Sequence, residues 1–182
     1  MNPEILIQLL AVLISAFIVL KGIREYKEAQ RWKKLEFVSK EIKEFFNDAE
    51  IKRALQMLDW NACSVPLNPG EIGDETKFSC SDEKILDALR THDQKSRFTP
   101  EEVVIKKIFD NFLDKLTMFE NYIETGLINA KDIQPYLEYW IKILADPKND
   151  RKDKKVRDQI WKYIDQYGYK KVRSLCHRKE FI

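Results

Sequence analysis

Glycine and proline are scarce, 5 and 6 in a chain of 182 residues, and this excludes an all-β fold built on many tight turns. It also leaves little room for a loop that cradles phosphate. No Walker loop, Gly-rich dinucleotide turn, HExxH or nucleophile elbow is present. Soft ligands are equally few: 3 Cys and 2 His would nearly all have to converge on one four-ligand zinc module, and neither CxxC nor HxxxH spacing occurs. The expectation is therefore no catalytic residue, no bound cofactor and no metal site, in a protein that is not an enzyme. With 44% hydrophobic and 34% charged residues the chain is neither disordered nor fibrous, and its length suits one helical domain.

What the chain does have is one extreme apolar run. Ile5 to Leu20 reads ILIQLLAVLISAFIVL, with only Gln8 and Ser15 polar. Sixteen helical residues span roughly 24 Å, and extension to Ile23 with Lys21 snorkelling gives roughly 28 Å, close to the apolar thickness of a bilayer. Apolar residues cover every face, unlike a core helix, which keeps a polar stripe. A cleaved leader is disfavoured by Glu4, by the lack of Lys or Arg before the run, and by the absence of a small-x-small site before Lys21. Residues 1–23 are accordingly expected to be a single transmembrane anchor, with Ile5, Leu9, Leu13, Phe17 and Leu20 in the bilayer. Lys21, Arg24, Lys27, Arg31, Lys33 and Lys34 follow the run, so the N-terminus is expected outside and the remainder in the cytoplasm with reduced thiols. Lys21, Arg24, Lys27 and Arg31 are the expected contacts to anionic lipid.

Charge is partitioned along the chain. Residues 21–34 hold 6 basic and 2 acidic side chains, residues 35–147 hold 14 and 22, and residues 148–182 hold 12 and 5. The basic tail is expected to meet the acidic middle within one compact domain, or else to face lipid together with the basic collar. Residues 24–60 read as a juxtamembrane amphipathic stalk, with Leu35, Val38, Ile42, Phe45 and Ala49 inward, and a short helix opened by Asn47 and Glu50. Residues 61–81 carry Pro66, Pro69, Gly70 and Gly73 without periodicity and read as a long loop, either spacer or binding surface; Cys63 and Cys80 would pair only in an oxidising compartment.

Residues 82–182 read as a helical bundle with a basic C-terminal tail. Thr99, Pro100 and Glu102 form a helix start, and Ile105, Ile108, Phe109, Phe112, Leu113, Leu116, Phe119 and Ile123 a stripe running to a stop at Gly126. Asn129 and Asp132 cap the next helix, in which Pro135 marks a bend or the true start and Tyr136, Leu137, Tyr139, Trp140, Ile143 and Leu144 face inward. The last long helix carries Val156, Ile160, Trp161, Ile164 and Tyr167 up to Gly168. The fold class is thus all-α: an N-terminal transmembrane helix continuing into an amphipathic stalk, then a small cytoplasmic bundle.

The succession of anchor, charged stalk, Phe-rich helix, the turn Tyr122-Ile123-Glu124-Thr125-Gly126-Leu127-Ile128 and the helix Tyr136-Leu137-Glu138-Tyr139-Trp140 resembles the bacterial family catalogued as domain of unknown function 4760. The resemblance covers residues 3 to 145 and implies a membrane-tethered helical domain, with no activity or site residues to carry over. The expected function is a membrane-anchored interaction module whose partners are the lipid bilayer and another protein or membrane complex. A tethered metal-dependent hydrolase or nuclease would need Cys176 and His177 joined by Cys63 or Cys80. Nucleic-acid binding would use the basic and aromatic stretch Arg151 to Lys179, but Asp153, Asp158 and Asp165 dilute its charge. Neither nucleic acid nor a small-molecule substrate is the expected partner. His92, in a polar connector, reads as solvated, and Asp110 and Asp114 share one helix face without the Glu-x-x-His that di-iron bundles require.

Overall fold

The structure is a computed structural model that describes residues 3–67 and 76–181, apart from the side chains of Ile5, Leu6, Leu9 and Ala11. It comprises two units, Met1–Lys40 and Glu41–Ile182. Helix α1 runs Pro3–Asn47, without proline after its first residue to break it. In the first unit its described apolar side chains as far as Leu35 are exposed, among them Leu10, Leu13, Phe17 and Leu20, whereas Val38 is buried. Among the described residues no helix is long and apolar enough to cross a membrane.

The second unit is mainly helical: the end of α1, then α2 (Ala49–Asp59), α3 (Asp82–Ala88), α4 (Pro100–Glu124), α5 (Ala130–Ala145), α6 (Lys154–Gln166) and α7 (Lys170–Cys176). Helix α4 is its axis, packed by α2, α3 and α7. Its start is as expected: Thr99 Oγ1 accepts the Glu102 N–H at 3.3 Å and the Glu102 carboxylate accepts the Thr99 N–H at 2.8 Å. Ile105, Ile108, Phe109, Phe112, Leu113 and Leu116 are buried to 1% exposure or less. Phe45, from the last turn of α1, stands edge-on to Phe119 with ring centres 5.5 Å apart. Helix α4 stops where Gly126 takes φ +75°, a conformation free of strain only for glycine. Its N–H bonds Ile123 O at 3.0 Å, and buried Ile128 bonds back to Tyr122 O at 3.2 Å.

Several expectations require correction. The mostly helical class agrees with the all-α expectation, but residues 61–81 are not simply a loop: strands β1 (Ala62–Pro66) and β2 (Lys77–Ser81) pair antiparallel, Cys63 opposite Cys80 and Val65 opposite Phe78. Each strand buries only one or two side chains, Val65 from β1 and Phe78 and Cys80 from β2, too short an alternation to stand out beside the nearby prolines. The central part of that segment, residues 68–75, lies outside the described residues. Pro66 has no N–H to lose and sits between hydrogen-bonded positions, since the neighbouring pair Leu67 and Thr76 carries the bond, Leu67 N–H to Thr76 O at 2.8 Å. The cap of α2 is Asp48, whose carboxylate accepts the Glu50 and Ile51 N–H groups at 2.8 and 3.0 Å; Asn47 is the last residue of α1. Helix α2, the short helix expected within residues 24–60, belongs to the second unit and packs on α4 and α5. Helix α5 begins at Ala130 and runs through Pro135. Its buried line is Ile133, Leu137, Ile141 and Leu144, so Tyr136 and Tyr139 are turned outward.

Candidate functional site

The end of α2, the root of the hairpin and the connector before α6 enclose a polar cleft of about 770 Å³ lined by Asp59, Trp60, Asn61, Asp82, Glu83, Asp150, Arg151 and Asp153. Each wall follows from local sequence. Helix α2 ends at Asp59, and Trp60 is extended and begins the turn into β1. Asp82 opens α3 directly after β2, and Asp153 caps α6 by accepting the Lys155 N–H at 2.7 Å. Five carboxylates face one guanidinium, so the cleft favours a cationic visitor.

Lys152, not itself in the lining, forms a floor beneath two lining residues, Trp60 and Asp82. It is 1% exposed, and its Nζ donates to Trp60 O and to Asp82 Oδ1, both at 2.7 Å. A buried ammonium is tolerated only when its donors are met by a carboxylate and a carbonyl of this kind. On the rim, Arg151 Nε reaches Asp59 Oδ1 at 2.7 Å and the Tyr139 hydroxyl donates to the same carboxylate. The guanidinium holds the Asp59 carboxyl below its usual range, assisted by Tyr139 and opposed by partial burial.

Beside this floor lie the two hairpin thiols. Cys63 is half-buried and Cys80 is 1% exposed, both as free cysteines. The neighbouring Cys80 thiol, with help from the Lys152 charge and against some burial, brings the Cys63 thiol down to about 7; the proximity of Cys63 and burial push Cys80 up.

A second polar cluster lies on α4. Asp110 Oδ1 accepts the hydroxyls of Tyr163 at 2.6 Å and Tyr169 at 3.1 Å. Lys106 stands 4.4, 4.8 and 5.1 Å from the ring centres of Phe98, Tyr163 and Tyr167. Burial lowers the Lys106 ammonium, offset by Asp110 and Glu102. Tyr163 is raised by burial first and then by Asp110. His92 is not simply solvated: its Nδ1 is hydrogen-bonded to the Tyr167 hydroxyl and its ring meets Phe98 edge-on. The cluster joins α6 and the start of α7 to α4.

Of the expected anchor positions, Leu13, Phe17 and Leu20 are 60%, 68% and 66% exposed, while the side chains of Ile5 and Leu9 lie outside the described residues. In the collar, Lys21 pairs with Glu25 at 3.7 Å and Arg24 with Glu28 at 3.3 Å; Lys27 and Arg31 share a shallow groove with Leu20 and Ile23. Cys176 is buried and pushed up to about 12 by desolvation, and His177 bonds Arg173 O at 2.8 Å. No group of three or more His, Cys, Asp or Glu able to hold a metal occurs among the described residues. Lys152, Asp59 and Asp82, which build the cleft, went unnoticed in the sequence because Lys152 meets Trp60 and Asp82 across 92 and 70 residues. No family model matches the chain, and neither does a curated protein or a solved structure.

Proposed function

We propose that the protein is a membrane-anchored helical interaction module, held by residues 5–20 at the cytoplasmic face of a membrane and recruiting another protein to it. The observation that carries the reading is the surface of α1, where large apolar side chains from Ile7 to Ile23 point outward on every side of the helix, most of them 50% exposed or more. Exposed apolar area of this extent costs about 25 cal/mol per Å² in water and is relieved in lipid. The sequence supplies the rest of the run, since Ile5, Leu6, Leu9 and Ala11 are also apolar, and the Lys and Arg residues after it favour a cytoplasmic flank. The acidic cleft is the place offered to a basic segment of the partner.

The test is membrane fractionation. Leu13→Arg adds about 2.5 to 3.5 kcal/mol to insertion at the helix centre, which a span of bare sufficiency cannot absorb. The variant is expected to leave the carbonate-resistant fraction in which the parent chain is found. Retention of the variant there would show that this helix is not the anchor.

A further inference from the structure

We propose that Cys63 and Cys80 form a dithiol that exchanges with low-molecular-weight disulfides, Cys63 as the attacking sulfur and Cys80 as the resolving one. The hairpin register sets the two residues directly opposite, on the same face of the ladder. Leu67 and Thr76 are a hydrogen-bonded pair, and the two-residue period of an antiparallel ladder gives Cys63 and Cys80 the same status. Their Cα atoms are then about 5.5 Å apart, inside the range that a disulfide bridges. Cys63 is only half-buried, whereas Cys80 is 1% exposed, so a slender electrophile reaches Cys63 first.

The groups facing the pair favour the same order of attack. Lys152, from the connector before α6, lends positive charge to both sulfurs, Lys84 of α3 acts on Cys80, and Asp82 is engaged with the Lys152 ammonium. Cys63, near 7, is therefore about half thiolate at neutral pH while Cys80 keeps its proton. In the first step the Cys63 thiolate bonds to one sulfur of the incoming disulfide, whose S–S bond breaks, and the departing thiolate takes a proton. Cys80 then loses its proton to solvent and attacks the Cys63 sulfur, releasing the second thiol. Two electrons pass from the hairpin to the small disulfide, which leaves as two thiols. This inference does not rest on the membrane reading.

The test uses the full chain in detergent micelles, reduced, desalted and incubated with glutathione disulfide near neutral pH, then acid-quenched and mapped by mass spectrometry. The expected product is a Cys63–Cys80 disulfide with Cys176 untouched. Cys80→Ser is expected to stall as a glutathione adduct on Cys63, and Cys63→Ser to give neither product. Iodoacetamide should alkylate Cys63 at least about tenfold faster than Cys176 in the folded chain. A wild-type chain that stays fully reduced, that keeps its adduct on Cys63 unresolved, or that reacts first at Cys176 overturns the proposal, whether or not the variants fold.

Discussion

Asp59 receives a guanidinium and a phenol on one carboxylate, and its effect on stability has a definite pH window. Its folded-state pKa lies below the ordinary value of 3.8, so the charged form is favoured by folding; the stabilisation is complete above that value and disappears as pH falls through the lower folded value. Asp59→Asn is expected to cost about 1 kcal/mol at pH 7, a figure kept small because Arg151 is exposed, and the gap between variant and parent should close below pH 3.8. Thermal melts at several pH values read this directly, and a gap that persists unchanged in acid would contradict the assignment. Tyr139 shows why the residue scale is hard to read from sequence. Beside Trp140 it looks like part of an apolar face, yet its hydroxyl is engaged at Asp59, eighty residues away, and half its surface stays in water.

Helix α4 was legible because everything that defines it is local: a cap and a glutamate three residues on, an apolar stripe, and a glycine at the end. The hairpin was not, because two strands of five residues leave too few alternating positions to outweigh Pro66 and the glycines beyond. Helix α5 was half legible, its existence correct and its inward face right at Leu137, Ile143 and Leu144 but wrong at Tyr136 and Tyr139, since the aromatic residues drew the stripe away from Ile133 and Ile141. The turn after α4 offers the cleanest element-scale test. A Cβ at Gly126 would meet nothing within 4 Å, so any cost of Gly126→Val comes from φ +75° alone and is expected at about 1 to 2 kcal/mol. Thr125→Ala next to it should be nearly neutral, and Phe112→Ala, in the centre of the stripe, should cost about 3 to 5 kcal/mol. Circular-dichroism melts of the three variants check the order. Equal melting temperatures for the two turn variants would mean that α4 does not end at Gly126.

At the scale of the molecule the partition of charge resolves into paired surfaces, the first of the two arrangements its pattern allowed. Arg151 meets Asp59, Lys152 meets Asp82, Lys171 meets Glu124 and Arg178 meets Glu120. The last pair is the strongest, with Arg178 Nε and Nη2 on the two carboxylate oxygens at 2.7 and 2.8 Å and Glu120 only 1% exposed. Arg178→Ala strands that carboxylate in the core and is expected to cost about 3 kcal/mol, lowering Tm by roughly 10 °C, whereas Lys171→Ala at the exposed pair should change little. Comparable losses for the two in a thermal melt would show that burial does not set the ranking.

These pairings have a consequence for how the chain is made. Glu120 and Arg178 are 58 residues apart, and translation at about 5 to 20 residues per second separates their synthesis by several seconds. Throughout that interval α4 exists with an acidic group on a face that the finished protein seals, and Asp82 likewise awaits Lys152. Closing that face in a nascent chain before the basic tail arrives would bury an unpaired carboxylate, at a cost that the Arg178 pairing removes.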